Sequence, residues 1–193
     1  MRPKAAHGVS NPMTTENRTR KLVCLTGFMG SGKSTTARIL AGQLGWVNTD
    51  LDRCITEATH LSIPEIFSRL GEAEFRRLEY EQLARIVAES TATQKPRIVS
   101  LGGGTIMQPQ NLVLLREVGA ALIWLHCPIE DLLNRCAHIT DRPLFRDETS
   151  FRRLYAERLP TYEMSDYKVD SRGEPARVVE QILALGIFPG VTA

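Results

Sequence analysis

No stretch of this chain stays apolar for the roughly 20 residues that a membrane-spanning helix needs. Nor does one sign of charge dominate, with 24 basic residues against 22 acidic ones. A formal net charge of +2 is too small to argue for nucleic acid or an anionic membrane through the global field. Neither partner is expected. Cysteine is scarce, and Cys24, Cys54, Cys127 and Cys136 form no C-x-x-C pair. Cys24 and Cys127 sit inside apolar runs, which points to core thiols in a reducing cytosol rather than to disulfides or a metal site. His7, His60, His126 and His138 show no ligand spacing. The first twenty residues, MRPKAAHGVSNPMTTENRTR, lack the apolar stretch of a secretory signal and read as a disordered polar lead. A cytoplasmic location is expected.

What the chain does have is alternation. KLVCLTG, WVNTD, RIVSLGGG, AALIWLHCP and YKVD read as short strands, and helical patterns separate them. One helix is predicted from Lys33 to about Gly42, and another from Asp52. SIPEIFSRLG carries Pro64 in a first turn, where its missing N–H does no harm. GEAEFRRLEYEQLARIVAE spaces Phe75, Leu78, Leu83, Ile86 and Val87 along one helical face. Further helices are predicted up to a cap at Gly119, from Pro128, through Arg158, and across EPARVVEQILALG. HITDRPLFRDE reads as a loop. At 193 residues the chain fits one domain, from residue 21 to 193, with a mostly parallel sheet covered by helices on both faces.

Chemistry concentrates first in LTGFMGSGKSTT. Gly27, Gly32, Lys33 and Ser34 fit G-x-x-x-x-G-K-[ST], preceded by a strand and followed by a helix as that motif requires. Small residues there, Gly30 and Ser31 among them, let successive N–H groups curl around an anion. The helix start at Ser34 and Thr35 adds partial positive charge, and Lys33 adds a full one. The loop is read as a nucleoside triphosphate site, with the Ser34 hydroxyl available to Mg²⁺. Many P-loop proteins place an aspartate at the end of a neighbouring strand; RIVSLGGG ends without one. Asp50 closes the second strand instead, and a water-mediated contact to Mg²⁺ suits it. Capping the next helix is the other reading of Asp50, and the two are compatible.

GFMGSGKST, DLD, SIPEIFSRLGEAEFRRLE, SLGGGT, DRPLF and ERLPTYE occur in the order and spacing of shikimate kinases. From about Lys21 to Gly186 the chain resembles that family. The resemblance implies an α/β three-layer P-loop kinase fold: a central parallel five-stranded sheet, helices on both faces, and a mobile lid over about residues 137–150. It implies transfer of the γ-phosphate of ATP, with Mg²⁺, to the 3-hydroxyl of shikimate, a step toward chorismate and the aromatic amino acids. By the same resemblance Asp52 holds two ring hydroxyls, and Arg76 and Arg158 hold the carboxylate. Gly102, Gly103 and Gly104 form a turn beside the substrate, with Gly103 donating an N–H. Phe67, Phe75 and Glu79 line and brace the pocket. Arg142 is similar to a lid arginine that reaches the phosphates, Arg135 to one near adenine, and Arg172 opens a loop closing its other side. Lys33, Asp52 and Arg142 are the implied catalytic set.

The residue types agree with such an acceptor. Two planar, always charged guanidinium groups suit one carboxylate. An ionised carboxylate only accepts hydrogen bonds, which matches a vicinal diol. Bare glycine backbone lets a small polar ring lie close. Arg76 and Arg77 also read as one solvated helix face paired with Glu72, Glu74 and Glu79. His60 stands where the family usually has glycine, and Asn48 and Thr49 where it usually has apolar residues. A kinase of another hydroxy acid such as gluconate, or a non-catalytic ATP-binding module, are the alternatives. With no heptad pattern or long exposed apolar face, a monomer is expected.

Overall fold

The computed structural model describes residues 20–137 and 147–189. Arg142, most of the expected lid and the polar lead lie outside the described residues. Five strands are present: β1 (Leu22–Thr26), β2 (Val47–Asp50), β3 (Arg97–Ser100), β4 (Ala121–His126) and β5 (Tyr167–Asp170). Eight α-helices are described: α1 (Lys33–Leu44), α2 (Leu51–Thr59), α3 (Ile63–Arg69), α4 (Gly71–Thr93), α5 (Pro109–Glu117), α6 (Ile129–Cys136), α7 (Glu148–Tyr162) and α8 (Pro175–Leu183).

The sheet order is β2-β3-β1-β4-β5, and every pairing is parallel. A parallel sheet must be covered on both faces, and the alternation along each strand provides for that. Leu22 and Cys24 of β1 enter one core, Val23 and Leu25 the other. On the first face lie Ile55 of α2, Ile66 of α3, Leu83 of α4, Leu115 of α5, Leu132 of α6 and Phe151 of α7. On the second lie Leu40 of α1 and Val179 and Ile182 of α8. The three-layer α/β expectation is met. Among the described residues all four cysteines are free, and burial pushes the Cys24 thiol up to about 12. No described helix is long and apolar enough to cross a membrane.

Several boundaries differ from the sequence expectation, each for a local reason. Helix α1 runs on to Leu44 because Gly45, not Gly42, takes the left-handed cap with φ 66°. Helix α7 does not stop at Arg158 but continues through Pro160 to Tyr162. A proline so near the helix end removes a single backbone bond, and the fully buried Tyr162 anchors the last turn. Residues 148–150, counted into the lid, form the first turn of α7, where Asp147 accepts from the Ser150 N–H at 2.8 Å. His60 adopts φ 57° and donates its N–H to Thr56 at 2.9 Å. It therefore closes α2 as a glycine would. Asn48 is exposed on the edge strand β2, where a polar residue costs nothing. Thr49 is buried, its hydroxyl accepting from Arg97 at 2.9 Å.

Candidate active site

The loop between β1 and α1 is shaped by main chain pressed against its neighbours. A Cβ on Gly27, at φ 140°, would sit 2.7 Å from the Leu125 carbonyl oxygen; one on Gly30 would sit 2.7 Å from Cys136 Sγ. Only glycine permits this approach. Gly32 caps α1 in the left-handed region with no side-chain cap, and the first turn holds no acid. The N–H groups of that turn are thus left for an anion. Lys33 Nζ donates to the Gly27 and Phe28 carbonyls at 2.8 and 3.0 Å, arching over the loop. Ser34 and Thr35 are exposed at the helix start, and the buried Ser31 hydroxyl has no partner. Arg135 of α6 donates to Gly30, Ser171 and Arg172 carbonyls at 3.3, 3.0 and 2.7 Å, tying the loop to the segment after β5. These arginines share an open cleft with Gly32 and Pro175. Arg172 itself turns to Asp170, with Nη2 and Oδ2 2.6 Å apart.

At the end of β2, Asp50 does cap the next helix, accepting from the Arg53 N–H at 3.1 Å. Its second oxygen accepts from the Ser100 hydroxyl at 2.8 Å. Ser100 ends β3, the strand whose missing aspartate sent attention to Asp50. Sequence reasoning did not single it out.

Beside the loop opens a pocket to which Met29, Ile63, Phe67 and Phe75 contribute the apolar lining. Its floor is the glycine run after β3. A Cβ built on Gly102 would lie 3.0 Å from Asp52 Oδ1 and 3.1 Å from Glu79 Oε1. One on Gly104 would lie 2.8 Å from Arg76 Nη2 and 3.3 Å from Arg158 Nη2. The two guanidinium groups thus meet over one point, with an acid at the other end of the floor. One on Gly103 would lie 3.6 Å from the Gly27 carbonyl, so the pocket abuts the phosphate loop.

Buried charge fixes these heads. Glu79 is 0% exposed and accepts from Arg76 Nη1 at 2.9 Å and Thr105 Oγ1 at 2.7 Å, the pairing and hydrogen bonding a buried ion requires. Arg76 also meets Glu72 at 3.1 Å and lies 5.1 Å from the centre of the Phe75 ring. The helix-face pairing is therefore real for Arg76, and it holds the guanidinium in the pocket. Arg77 points outward to Glu74 and Glu81. Arg158, 7% exposed, donates to the Gly103 carbonyl at 3.1 Å and stands 5.6 Å over the Phe28 ring.

The profile of a family described as "Shikimate kinase" matches residues 29–185. The chain belongs to the shikimate kinase family. It is an ATP-dependent kinase of an alcohol group. A shikimate kinase of Geobacter metallireducens is 38% identical over 183 residues, 93% of this chain and 94% of that protein. One of Moorella thermoacetica is 38% identical over 159 residues, 81% of this chain and 88% of that protein. The solved shikimate kinase from Acinetobacter baumannii, in complex with shikimate, matches with a TM-score of 0.78 at 32% identity. That match covers 87% of this chain and 93% of the other. Within this kinase the described candidates other than Asp50 fall into two groups: Gly27 to Thr35 with Arg135 and Arg172 around the loop, and Asp52, Arg76, Gly102 to Gly104 and Arg158 around the pocket. Thr105, Ser100 and Tyr162 were missed. The one signal available for Thr105 was a hydroxyl directly after three glycines.

Proposed function

We propose that this kinase joins the 3-hydroxyl oxygen of shikimate to the γ-phosphorus of ATP, breaking the bond to the β–γ bridging oxygen and releasing ADP and shikimate 3-phosphate. One observation carries the reading: an acid, a glycine floor and two converging guanidiniums share a pocket whose Gly103 lies against the phosphate loop. The loop N–H groups and Lys33 hold the outer phosphates. Arg76 and Arg158 take the carboxylate of the acceptor, and the Gly103 N–H adds a donor. Asp52 takes two ring hydroxyls, aligns the 3-hydroxyl with the γ-phosphate, and receives its proton late in transfer. Transfer of this kind passes through a loose transition state, so alignment and charge compensation supply most of the catalysis. Arg142, outside the described residues, completes that compensation.

The Ser34 hydroxyl and the Asp50 carboxylate are hard oxygen donors that fit Mg²⁺, Asp50 through water. When bound there, the ion would supply positive charge that offsets the charge of the phosphates. Arg135 and Arg172 flank the base. A cytoplasmic monomer supplying the aromatic amino acid route is the setting we propose, consistent with four free thiols among the described residues.

The test is ADP release with shikimate, quinate, gluconate and AMP as acceptors. Shikimate should be turned over most efficiently; a preference for gluconate or AMP would overturn the reading. Asp52→Asn should lower kcat/KM for shikimate by roughly 10²–10³ while ATP affinity stays within about twofold. Equal weakening of both ligands would contradict the role of Asp52.

A further inference from the structure

We propose that Tyr162 is a positioning residue for the acceptor: its hydroxyl holds the Gly103 carbonyl and thereby sets both the glycine floor and the Arg158 guanidinium. The inference rests on the functional reading above.

The Tyr162 hydroxyl donates to the Gly103 carbonyl at 2.5 Å, and Arg158 Nη1 donates to the same oxygen at 3.1 Å. A carbonyl oxygen has two lone pairs, so the two bonds saturate it and fix the orientation of the peptide between Gly103 and Gly104. That peptide has no side chain of its own to hold it in place. Gly103 is also the point where the acceptor pocket touches the phosphate loop, through the Gly27 carbonyl. A small rotation of this peptide would shift the acceptor relative to the γ-phosphate.

The geometry depends on the end of α7. Arg158 and Tyr162 are four residues apart, so their side chains leave one face of the helix. Only because the helix continues past Pro160, with Glu163 N–H bonded to Leu159 at 3.1 Å, does the phenol stand one turn beyond the guanidinium. Its ring is braced from behind by Trp124, stacked with centroids 6.0 Å apart and planes 18° apart. Burial pushes the Tyr162 pKa up to about 12, which keeps the phenol protonated and able to donate at any working pH.

Phenylalanine would fill the same space against Trp124 and lack only the hydroxyl. Gly103 would then keep a single donor, and Arg158 would lose the neighbour that shares its acceptor. The phosphate loop would be untouched. In Tyr162→Phe, KM for shikimate should rise about tenfold, the loss of one hydrogen bond near the upper end of the neutral range. KM for ATP should stay within about twofold, and the melting temperature within a few degrees. The upward shift of melting temperature produced by saturating shikimate should shrink in the variant.

An unchanged KM for shikimate together with a lower melting temperature would make Tyr162 a core residue and overturn the proposal. So would a parallel rise in both KM values, or a chain too unstable to assay. A wild-type enzyme that did not phosphorylate shikimate would sink the functional reading instead, which keeps the two failures distinguishable.

Discussion

The two anion holders proposed for this kinase are built from different material. At the loop proposed for the triphosphate the groups are mostly main chain: three glycines at positive φ, an uncapped helix start, and one lysine laid across them. In the pocket proposed for the acceptor they are interlocked side chains, with Arg158, Glu79 and Thr105 all buried. An array of amides recognises phosphate and little else, so it serves any nucleotide kinase of the fold. A network of buried ions selects by shape and charge, because removing one member strands another. Discrimination between acceptors therefore belongs to the pocket, and its cost belongs to the loop's neighbours rather than to the loop.

Perturbations of the pocket should be the larger. Arg158→Ala should lower kcat/KM for shikimate by roughly 10³, the scale for truncating a buried, hydrogen-bonded charge, with ATP affinity unchanged by titration calorimetry. If ATP binding fell as far, the division between the holders would be broken. Arg142→Ala comes next, with a loss of roughly 10²–10³ in kcat and retained shikimate affinity; an unchanged kcat would remove Arg142 from the phosphate side. Gly30→Ala should act on the nucleotide alone. The new methyl group meets Cys136 Sγ at 2.7 Å from a φ of 80°, and strain of this kind costs about 1–3 kcal/mol. KM for ATP should rise about tenfold or more while shikimate affinity holds.

The smallest effect is expected where neither holder is touched. Asp147→Ala removes the cap of α7, which should lower the melting temperature by only a few degrees at this chain length. The Ser150 N–H and hydroxyl hold the Asp147 carboxyl below its ordinary value of 3.8. The cap's contribution is thus complete above that value and is lost as pH falls through the lowered one. The gap in melting temperature between variant and parent should close in acid; a gap that persists there would deny the cap its charge.

The loop was legible in the sequence because its chemistry dictates its spacing, and five strands were legible from their alternation with helical patterns, although β2 and β5 are half polar. The pocket was different. Asp52, Arg76, Gly103 and Arg158 come from distant parts of the chain, and nothing local to any of them says they meet; likeness to a family supplied that. Residues whose roles rest on long-range bonds went unseen, as with Tyr162 and Gly103, 59 positions apart, or Ser100 and Asp50, 50 apart. Local rules also lost to packing. The helix expected through Arg158 runs on past Pro160 to Tyr162, because burial of Tyr162 outweighs the one backbone bond a proline removes. His60 took the conformation of a glycine because α2 has to end there.

The sheet order has a consequence for how the enzyme comes to be made. β1 is the first of the described strands to leave the ribosome, yet it lies in the middle of the sheet between β3 and β4, whose residues pair with it only from Arg97 and Ala121 onward. The newborn chain therefore carries the segment proposed to grip ATP without a paired strand for roughly seventy residues of synthesis, from Thr26 to Arg97. Such late, distant pairing slows folding, and the segment becomes competent only when the second half of the polypeptide arrives.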